Sequence, residues 1–314
     1  MTKSFVIKQI ASYKKIIRKL LTPKIKSANM TNLLIALVNI TKNPVTDLIA
    51  FYGGSNRANN MGEALETYIK DVFCESFNKP NQEKDKIYSQ NFSYLGNQNN
   101  PPDFIIKDGD AIEVKKIESS SSDIALNSSY PKDRLHIDDS RVTNVCKVCE
   151  APNSWKEKDI VYVVGVVSKG DNRLKSIWFV YGTCYAADRE VYERISDKIS
   201  KGIREIPEVE LVDTNELAKV KKVDPLGVTD LRVRGMWHIK NPAKVFSDFV
   251  AVGKAEKFAV NAILLEEKYN SFPEKDRKML ESLQDKNLKI NNIQIRSPNN
   301  PAKLLEAKLI SYTI

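Results

Sequence analysis

The sequence predicts a mixed α/β fold, with a mixed central sheet flanked by helices and helical elaborations at the N- and C-terminal ends. The first observation is a helical spacing of apolar residues over 60–77, which short apolar runs typical of strands then follow. The second is a pair of nearly continuous apolar runs, 159–168 and 174–181, which are typical of central strands buried on both faces. The third is a return to helical spacing over 186–202. This order of elements favours a sheet layer covered by helices.

Shorter patterns supply the other elements in chain order. A break at Asn43-Pro44 separates two short apolar helices, because proline has no backbone N–H to donate and therefore interrupts a helix. The remaining predictions are helices over 31–40 and 45–52, a strand over 87–95, short strands near 208–213 and 230–239, and helical stretches over 242–270 and 272–285. No internal repeat or low-complexity linker is visible, so we expect one compact domain over residues 1–314.

Composition indicates a folded protein that suits a polyanionic partner. Apolar residues make up 42% of the chain, and 49 basic against 40 acidic residues give a net charge of +9 and a pI near 9.1. Such a surplus fits nucleic acid or an acidic membrane surface, although proteins with neither partner also carry it. No signal-peptide pattern opens the chain and no apolar run approaches the ~18 residues of a membrane span. We therefore expect a cytoplasmic protein with no membrane partner.

Several catalytic classes lack the residues that they need. His136 and His238 are the only histidines, which leaves little support for a Ser/His/Asp triad, and no GxxxxGK[ST] loop of a P-loop motor is present. Four cysteines do not make a disulfide framework in a chain of this length. Cys146 and Cys149 have the spacing of half a zinc site, but no second pair follows. They are either two reduced thiols or part of a structural zinc site completed by other ligands.

The stretch over 101–116, PPDFIIKDGDAIEVKK, carries the strongest chemical signal. It reads as two apolar strands joined by a turn at 107–110, because Asp-Gly between hydrophobic runs is typical of a hairpin and glycine tolerates a positive φ. Side chains alternate along a strand, so Glu113 and Lys115 share one face, and pairing across the hairpin can bring Asp103 near Glu113. Two carboxylates and an ammonium at one point favour a divalent cation and an activated water, as in a metal-dependent phosphodiesterase. Alternatively, Asp103 simply starts a strand and the other two side chains pair on a solvated face.

Asp103 after Pro102, followed by Glu113-Val114-Lys115, resembles the PD-(D/E)XK nuclease signature. Beyond this signature the chain resembles type II restriction endonucleases, particularly the group that cuts GGCC. The closer likeness covers roughly residues 31–250 and is carried by the segments NRANNMGEALE (56–66), ALNSSYP (125–131) and LRVRGMW (231–237). The resemblance implies a restriction-endonuclease-like core in which Asp103 and Glu113 bind Mg²⁺ and Lys115 orients the attacking water and stabilises charge on the phosphate.

The same resemblance implies an enzyme that hydrolyses double-stranded DNA at a short palindrome, GGCC, and leaves 5′-phosphate and 3′-hydroxyl ends. It also implies a cognate DNA methyltransferase acting on the same site, and a palindrome suggests a two-fold homodimer. The single domain would comprise an N-terminal helical region (1–52), a nuclease core (53–205) and a C-terminal DNA-recognition and helical region (206–314). A structure-specific repair or recombination nuclease and a non-catalytic basic nucleic-acid-binding protein are the alternatives.

Further site residues follow from the residue types and from the family likeness. Glu63 is the preferred extra metal ligand over Glu66, one helical turn away, because Gly62 permits close approach; an ordinary exposed helix face is the alternative. Short hydroxyl and amide side chains reach phosphates and base edges, and arginine binds guanine in a bidentate manner. Phosphate clamps, salt bridges or a solvated loop remain open for these residues. The predicted DNA-binding residues are Arg57, Asn59, Asn127, Ser128, Ser129, Arg232 and Arg234.

Overall fold

The computed structural model describes residues 31–52, 61–97, 100–126, 128–168, 173–206, 210–212, 216–250 and 257–314. Within these ranges the helices are α1 (Leu33–Lys42), α2 (Leu48–Tyr52), α3 (Met61–Cys74), α4 (Asn81–Asn91), α5 (Asn144–Lys147), α6 (Arg189–Arg204), α7 (Pro242–Val245), α8 (Glu266–Ser271) and α9 (Glu274–Glu281). The strands are β1 (Phe92–Asn97), β2 (Asn100–Ile106), β3 (Ala111–Ile117), β4 (Ile124–Ala125), β5 (Arg134–His136), β6 (Glu157–Val167), β7 (Leu174–Tyr181), β8 (Glu210–Val212), β9 (Ala218–Lys221), β10 (Leu231–Val233), β11 (His238–Ile239), β12 (Ala259–Leu265), β13 (Leu288–Arg296) and β14 (Leu304–Thr313).

The main sheet of the described residues has the strand order β1-β2-β3-β6-β7-β12-β14-β13, and β5 pairs with part of β6. The pairs β3/β6 and β7/β12 are parallel, whereas the other neighbours on this path are antiparallel. The predicted mixed central sheet is therefore confirmed. Strands β6 and β7 lie in its middle and are almost wholly buried, as their continuous apolar runs predict. Two smaller sheets, β10-β9-β8 and β11-β4, accompany it.

Helix α3 packs against the sheet beside the strands of the hairpin and contacts β3. Its helically spaced apolar side chains, including Leu65, Tyr68 and Ile69, are fully buried. Gly165 of β6 allows this close approach, because a Cβ atom at that position would lie 2.5 Å from Leu65 Cδ2. The sequence of α3 and the glycine of β6 thus fix the layer that supports the hairpin.

The predicted strand over 87–95 is wrong in its first half. Helix α4 continues to Asn91, and β1 begins only at Phe92. The helix directs Lys84 and Tyr88, which are four residues apart, to the buried carboxylate of Asp71. Tyr88 Oη donates to Asp71 Oδ1 at 2.6 Å, and Lys84 forms an ion pair with the other oxygen. A polar contact with an earlier helix, which a local apolar pattern does not encode, determines the secondary structure here.

The predicted helical stretch over 242–270 is also wrong over much of its length. Only α7 and α8 are helical among its described residues, and residues 259–265 form the buried strand β12 between β7 and β14. A continuous apolar run has no period that distinguishes a strand from a buried helix. The antiparallel hairpin of β13 and β14 is absent from the sequence predictions. The C-terminal elaboration is therefore rich in strands, while α9 confirms the helix expected within 272–285.

The N-terminal elaboration is helical where it is described, since α1 and α2 match the two predicted short helices. Asn32 caps α1 by accepting the N–H groups of Leu34 and Ile35 through its side chain. None of the helices in the described ranges is long and apolar enough to cross a membrane. The single domain over 1–314 stays a prediction.

Candidate active site

The hairpin predicted over 101–116 is confirmed as β2 and β3, which pair antiparallel through Phe104↔Ile112 and Ile105↔Ala111. One detail differs, because Asp108 and not Gly109 takes the left-handed conformation, with φ of 55°. Gly109 instead provides space, since a Cβ atom there would lie 3.0 Å from Ile106 Cγ2. The Ile106 N–H donates to the carbonyl of Asp110 at 2.9 Å and closes the turn.

Asp103 lies where the two strands of the hairpin separate. Extending the register by one residue would place Asp103 opposite Glu113, but the backbone pairing ends at Phe104. The Asp103 side chain replaces the missing backbone acceptor, because its Oδ2 accepts the Val114 N–H at 2.6 Å. This bond holds the Asp103 carboxylate on the Glu113 side of the hairpin. The structure therefore brings the two predicted carboxylates together.

Glu113 and Lys115 share one face of β3, and Lys115 Nζ lies 2.6 Å from Glu113 Oε1. This face is not solvated, since Glu113 is buried and the Lys115 side chain is only 25% exposed. The ion pair of the alternative reading is therefore present, but not on a solvated face. The second oxygen, Glu113 Oε2, is buried and has no hydrogen-bond partner among the described residues. An unpartnered carboxylate oxygen at this depth is unfavourable unless a cation or donor binds there.

Electrostatics reinforce this geometry. Burial and the neighbouring charge of Glu113 raise the pKa of Asp103 from 3.8 to about 8, although Lys115 acts in the opposite direction. Burial also works to lower the pKa of Lys115, but the charges of Glu113 and Asp103 outweigh it and the pKa is raised. One ammonium is thus shared between the buried Glu113 and the half-buried Asp103, and a further positive charge would relieve the repulsion between these two acids.

The three side chains line a pocket of about 60 Å³. A water molecule needs roughly 10–15 Å³ of such space, so the pocket has room for an ion with bound water. Ser128 and Ser129, two of the predicted DNA-binding residues, lie in its wall. Asn127, Arg57 and Asn59 lie outside the described residues.

Sequence reasoning did not select Tyr130, Lys132 and Arg141, which also line this pocket. Lys132 Nζ lies 4.2 Å from the centroid of the Tyr130 ring and forms an ion pair with Asp139. The Lys132 N–H donates to Tyr162 Oη at 2.7 Å, which ties the loop to β6. Tyr130 belongs to the segment that carries the family likeness, and that was its only signal in the sequence.

Helix α3 carries the two acids considered as extra ligands. The charge of Glu66 raises the pKa values of both Asp103 and Lys115, and its carboxylate pairs with Lys70 at 2.6 Å. Glu63 is partly buried on the same helix, and its carbonyl accepts a hydrogen bond from Thr67 Oγ1 at 2.8 Å. Of the two acids on this helix, Glu66 is therefore the one whose charge acts on Asp103 and Lys115. The metal-ligand role of Glu63 stays a prediction.

The described residues contain no group of three or more His, Cys, Asp or Glu side chains arranged to hold a metal ion. A pair of carboxylates is nevertheless compatible with Mg²⁺, which retains water ligands and binds phosphate oxygens. Cys146 and Cys149 carry free thiols, and burial raises the pKa of Cys146 to about 12. The zinc site that Cys146 and Cys149 could contribute to stays a prediction.

Arg232 lies in β10 and Arg234 follows the end of this strand, but both side chains point to the same place, because both bind Glu216. Arg232 donates to Glu216 through Nε at 3.0 Å and Nη2 at 2.6 Å, and Arg234 donates through Nε at 2.7 Å. Salt bridges were one of the alternatives for these two arginines, and in the protein without DNA both arginines form them. Contact of either arginine with guanine stays a prediction.

Comparison with known proteins extends these observations to nearly the whole chain. Residues 31–296 match the family described as NgoPII restriction endonuclease. The chain is 47% identical to the type II restriction enzyme NgoPII of Neisseria gonorrhoeae over 281 residues, which cover 90% of this chain and 99% of that relative. No solved structure matches the chain significantly. The matched residues include the hairpin, the loop at Ser128 and the Arg232 strand, and the chain belongs to the NgoPII restriction endonuclease family.

Proposed function

We propose that this protein is a Mg²⁺-dependent, sequence-specific endonuclease of double-stranded DNA in which Asp103, Glu113 and Lys115 are the catalytic residues. Family membership supports the endonuclease activity. The observation that carries the site is the buried Glu113 Oε2, which lacks a partner among the described residues and belongs to a pocket that Asp103 and Lys115 also line. This arrangement suits a ligand that brings both positive charge and oxygen atoms.

Asp103 and Glu113 would hold the divalent ion. The fit rests on hard oxygen donors, on Glu113 Oε2 without a partner in the described residues, and on two acids that only one ammonium neutralises. When bound, such an ion stabilises negative charge on a phosphodiester and lowers the pKa of water. The hydrogen bond from Val114 to Asp103 fixes one carboxylate before any ligand arrives.

Lys115 would orient the attacking water and stabilise the charge that develops on the phosphate. Hydrolysis forms a bond between the water oxygen and phosphorus and breaks the bond to the 3′ oxygen, which takes up a proton. The products are 5′-phosphate and 3′-hydroxyl ends. Lys132 is buried and paired with Asp139, so Arg141 is the basic residue of the same pocket wall that would attract the DNA backbone.

GGCC is the proposed target, based on the likeness to enzymes that cut this sequence. The target is a palindrome, so a two-fold homodimer would place one active site on each strand. A cognate DNA methyltransferase acting on the same sequence would protect the host. Ser128, Ser129, Arg232 and Arg234, together with Arg57, Asn59 and Asn127, would contact the DNA.

Helix α6 supports the homodimer proposal and suggests part of its surface. None of its residues is buried, and Val191, Ile195 and Ile199 are 45%, 41% and 44% exposed in a row at four-residue spacing. In an antiparallel pair of these helices centred on Ile195, Val191 would face Ile199 of the second copy. Such a contact uses the same surface patch on both copies, as a two-fold axis requires, and would cover the apolar row.

One experiment tests the proposed function directly. A sequenced plasmid is digested with Mg²⁺, and the fragment ends are sequenced, with EDTA and the Glu113→Ala variant as controls. We expect discrete fragments that end at GGCC, none in EDTA, and no cleavage by the variant, although it should still bind DNA in Ca²⁺. Cleavage at varied sequences would contradict site specificity, and full activity of Glu113→Ala would remove the assigned active site.

A further inference from the structure

Glu216 binds two guanidinium groups at once and is itself shielded from solvent. Its side chain is 13% exposed, whereas those of Arg232 and Arg234 are 54% and 60% exposed. The carboxylate therefore lies beneath the two arginines and holds their charged ends at the surface. Both arginines are exposed, but together they donate three hydrogen bonds to one carboxylate. These bonds restrict the orientations that the two guanidinium groups can take.

The edge of each guanidinium that Glu216 occupies determines what remains for a ligand. Arg232 uses its Nε and Nη2 atoms for Glu216, and Arg234 uses its Nε atom. Each guanidinium has five N–H donors. On Arg232, the edge formed by Nη1 and the second N–H of Nη2 can therefore donate to another acceptor. A guanine base presents two acceptors, O6 and N7, that match such an edge in the major groove.

Glu216 also changes which ligands the arginines prefer. A phosphate that approaches either arginine brings a full negative charge close to the carboxylate, which weakens its attraction to the two guanidinium groups. Guanine O6 and N7 are uncharged acceptors and meet no such repulsion. The carboxylate therefore weakens backbone contacts, which occur at every sequence, more than it weakens contacts to guanine.

The position of Glu216 connects this cluster to the active site. Glu216 lines a cleft of about 460 Å³ that shares Ser128, Ser129 and Arg141 with the pocket of Asp103 and Glu113. Arg232 and Arg234 do not line this cleft themselves, but their partner Glu216 does, so DNA lying along the cleft would pass next to both arginines. The cluster is thus placed to contact bases near the cleavage point.

We propose that Glu216 is a specificity-determining residue that positions Arg232 and Arg234 for guanine and disfavours their contact with phosphates. This inference rests on the proposed function, in which the two arginines read bases. Glu216 acts through the arginines, so its removal should affect discrimination between sequences more than the rate of cleavage at the correct one.

The test uses Glu216→Gln, which keeps the shape of the side chain and removes its charge. Binding to short duplexes that carry the target, or the target with one G·C pair replaced, is measured by fluorescence anisotropy in Ca²⁺. We expect affinity for the altered duplex to rise about 3- to 10-fold and discrimination to fall by a similar factor. The single-turnover cleavage rate at the correct site should change less than about threefold, because Glu216 does not touch the reacting atoms.

Glu210→Gln is the matched control. Glu210 lies in the same small sheet as Arg232 and pairs with Lys222 at 2.8 Å, so its substitution removes the same charge away from the arginine cluster. This variant should bind both duplexes slightly more tightly, with unchanged discrimination. If the two variants lowered discrimination equally, the proposal would be overturned, because the change in net charge alone would then explain the effect of Glu216→Gln. If Glu216→Gln lowers thermal stability and weakens both duplexes equally, a purely structural role replaces the proposed one.

Arg232→Ala and Arg234→Ala separate this inference from the proposed function. Loss of discrimination in these variants, with unchanged discrimination in Glu216→Gln and Glu216→Ala, would overturn only the role of Glu216. Unchanged discrimination in both arginine variants would remove the base-reading role itself, and the inference would fall with it. Reduced discrimination in both sets is the expected result.

Discussion

Replacing Asp103 by asparagine should make the metal-free protein more stable while abolishing DNA cleavage. Asparagine can still accept the Val114 N–H with its side-chain oxygen, so the support of the hairpin is kept. It removes the negative charge of the half-buried Asp103 beside Glu113. The substitution therefore relieves the repulsion that a bound cation would otherwise relieve.

The size and pH dependence of this effect follow from the raised pKa. Asp103 has a pKa of about 8 in the folded protein against 3.8 for the ordinary group, so the folded state binds its proton more tightly than the unfolded state. Stability is therefore lost as the pH rises above about 4, and the loss is complete above about 8. At ~1.36 kcal/mol per pH unit the upper limit at pH 8 is ~6 kcal/mol. Water entry and relaxation reduce such penalties, and we expect about 2 kcal/mol at pH 8.

The assay is thermal unfolding in EDTA at pH 5 and pH 8, followed by circular dichroism. Asp103→Asn should unfold at least about 4 °C above the parent protein at pH 8, with a smaller difference at pH 5. Mg²⁺ should raise the unfolding temperature of the parent protein more than that of the variant.

Asp108→Asn is the matched control, because Asp108 lies in the exposed turn of the same hairpin and asparagine tolerates its φ of 55°. It should leave both the pH dependence and the cleavage rate unchanged. A lower unfolding temperature for Asp103→Asn at pH 8, or the same difference at both pH values, would refute the electrostatic argument. Retained cleavage by that variant would refute the assignment of Asp103.

Three further predictions address other parts of the protein. Lys115→Ala should lower the single-turnover cleavage rate by about 100-fold or more with little change in Mg²⁺ affinity, as titrated by thermal shift; a parental rate would remove it from the mechanism. Ile195→Glu should convert the proposed dimer to a monomer in light scattering, whereas Lys201→Glu, an exposed control on another face of α6, should stay dimeric; a dimeric Ile195→Glu variant would place the interface elsewhere. Gly165→Val should lower the free energy of unfolding by about 1–3 kcal/mol in denaturant titration, because its side chain would collide with Leu65 of α3. Unchanged stability of this variant would show that the helix does not need the close approach.

The hairpin and its carboxylates could be predicted because every determinant lies within a short segment. The turn residues, the alternation of side chains and the register are all local, so Asp103 and Glu113 could be placed together from spacing alone. The left-handed residue was the one local error, since the structure assigns that conformation to Asp108.

Features that depend on distant partners could not be predicted in this way. Helix α4 depends on the buried Asp71, and β12 depends on its place between β7 and β14. Lys132 reaches the pocket through a loop held by Tyr162, and nothing in its own neighbourhood marks it as a site residue. Glu216 lies 16 residues before Arg232, and only the folded strands bring them together.

The charges in the active-site pocket explain why a stabilising substitution there should abolish activity. When both acids are ionised, Asp103, Glu113 and Lys115 leave one negative charge uncompensated at a place where Glu113 Oε2 has no partner among the described residues. Glu66 does not change this count, because Lys70 pairs with it. A bound divalent cation would relieve the repulsion between these two acids, and Asp103→Asn relieves it by removing one of the two charges. The same substitution also removes an anionic ligand of the cation, so the gain in stability and the loss of cleavage have one cause.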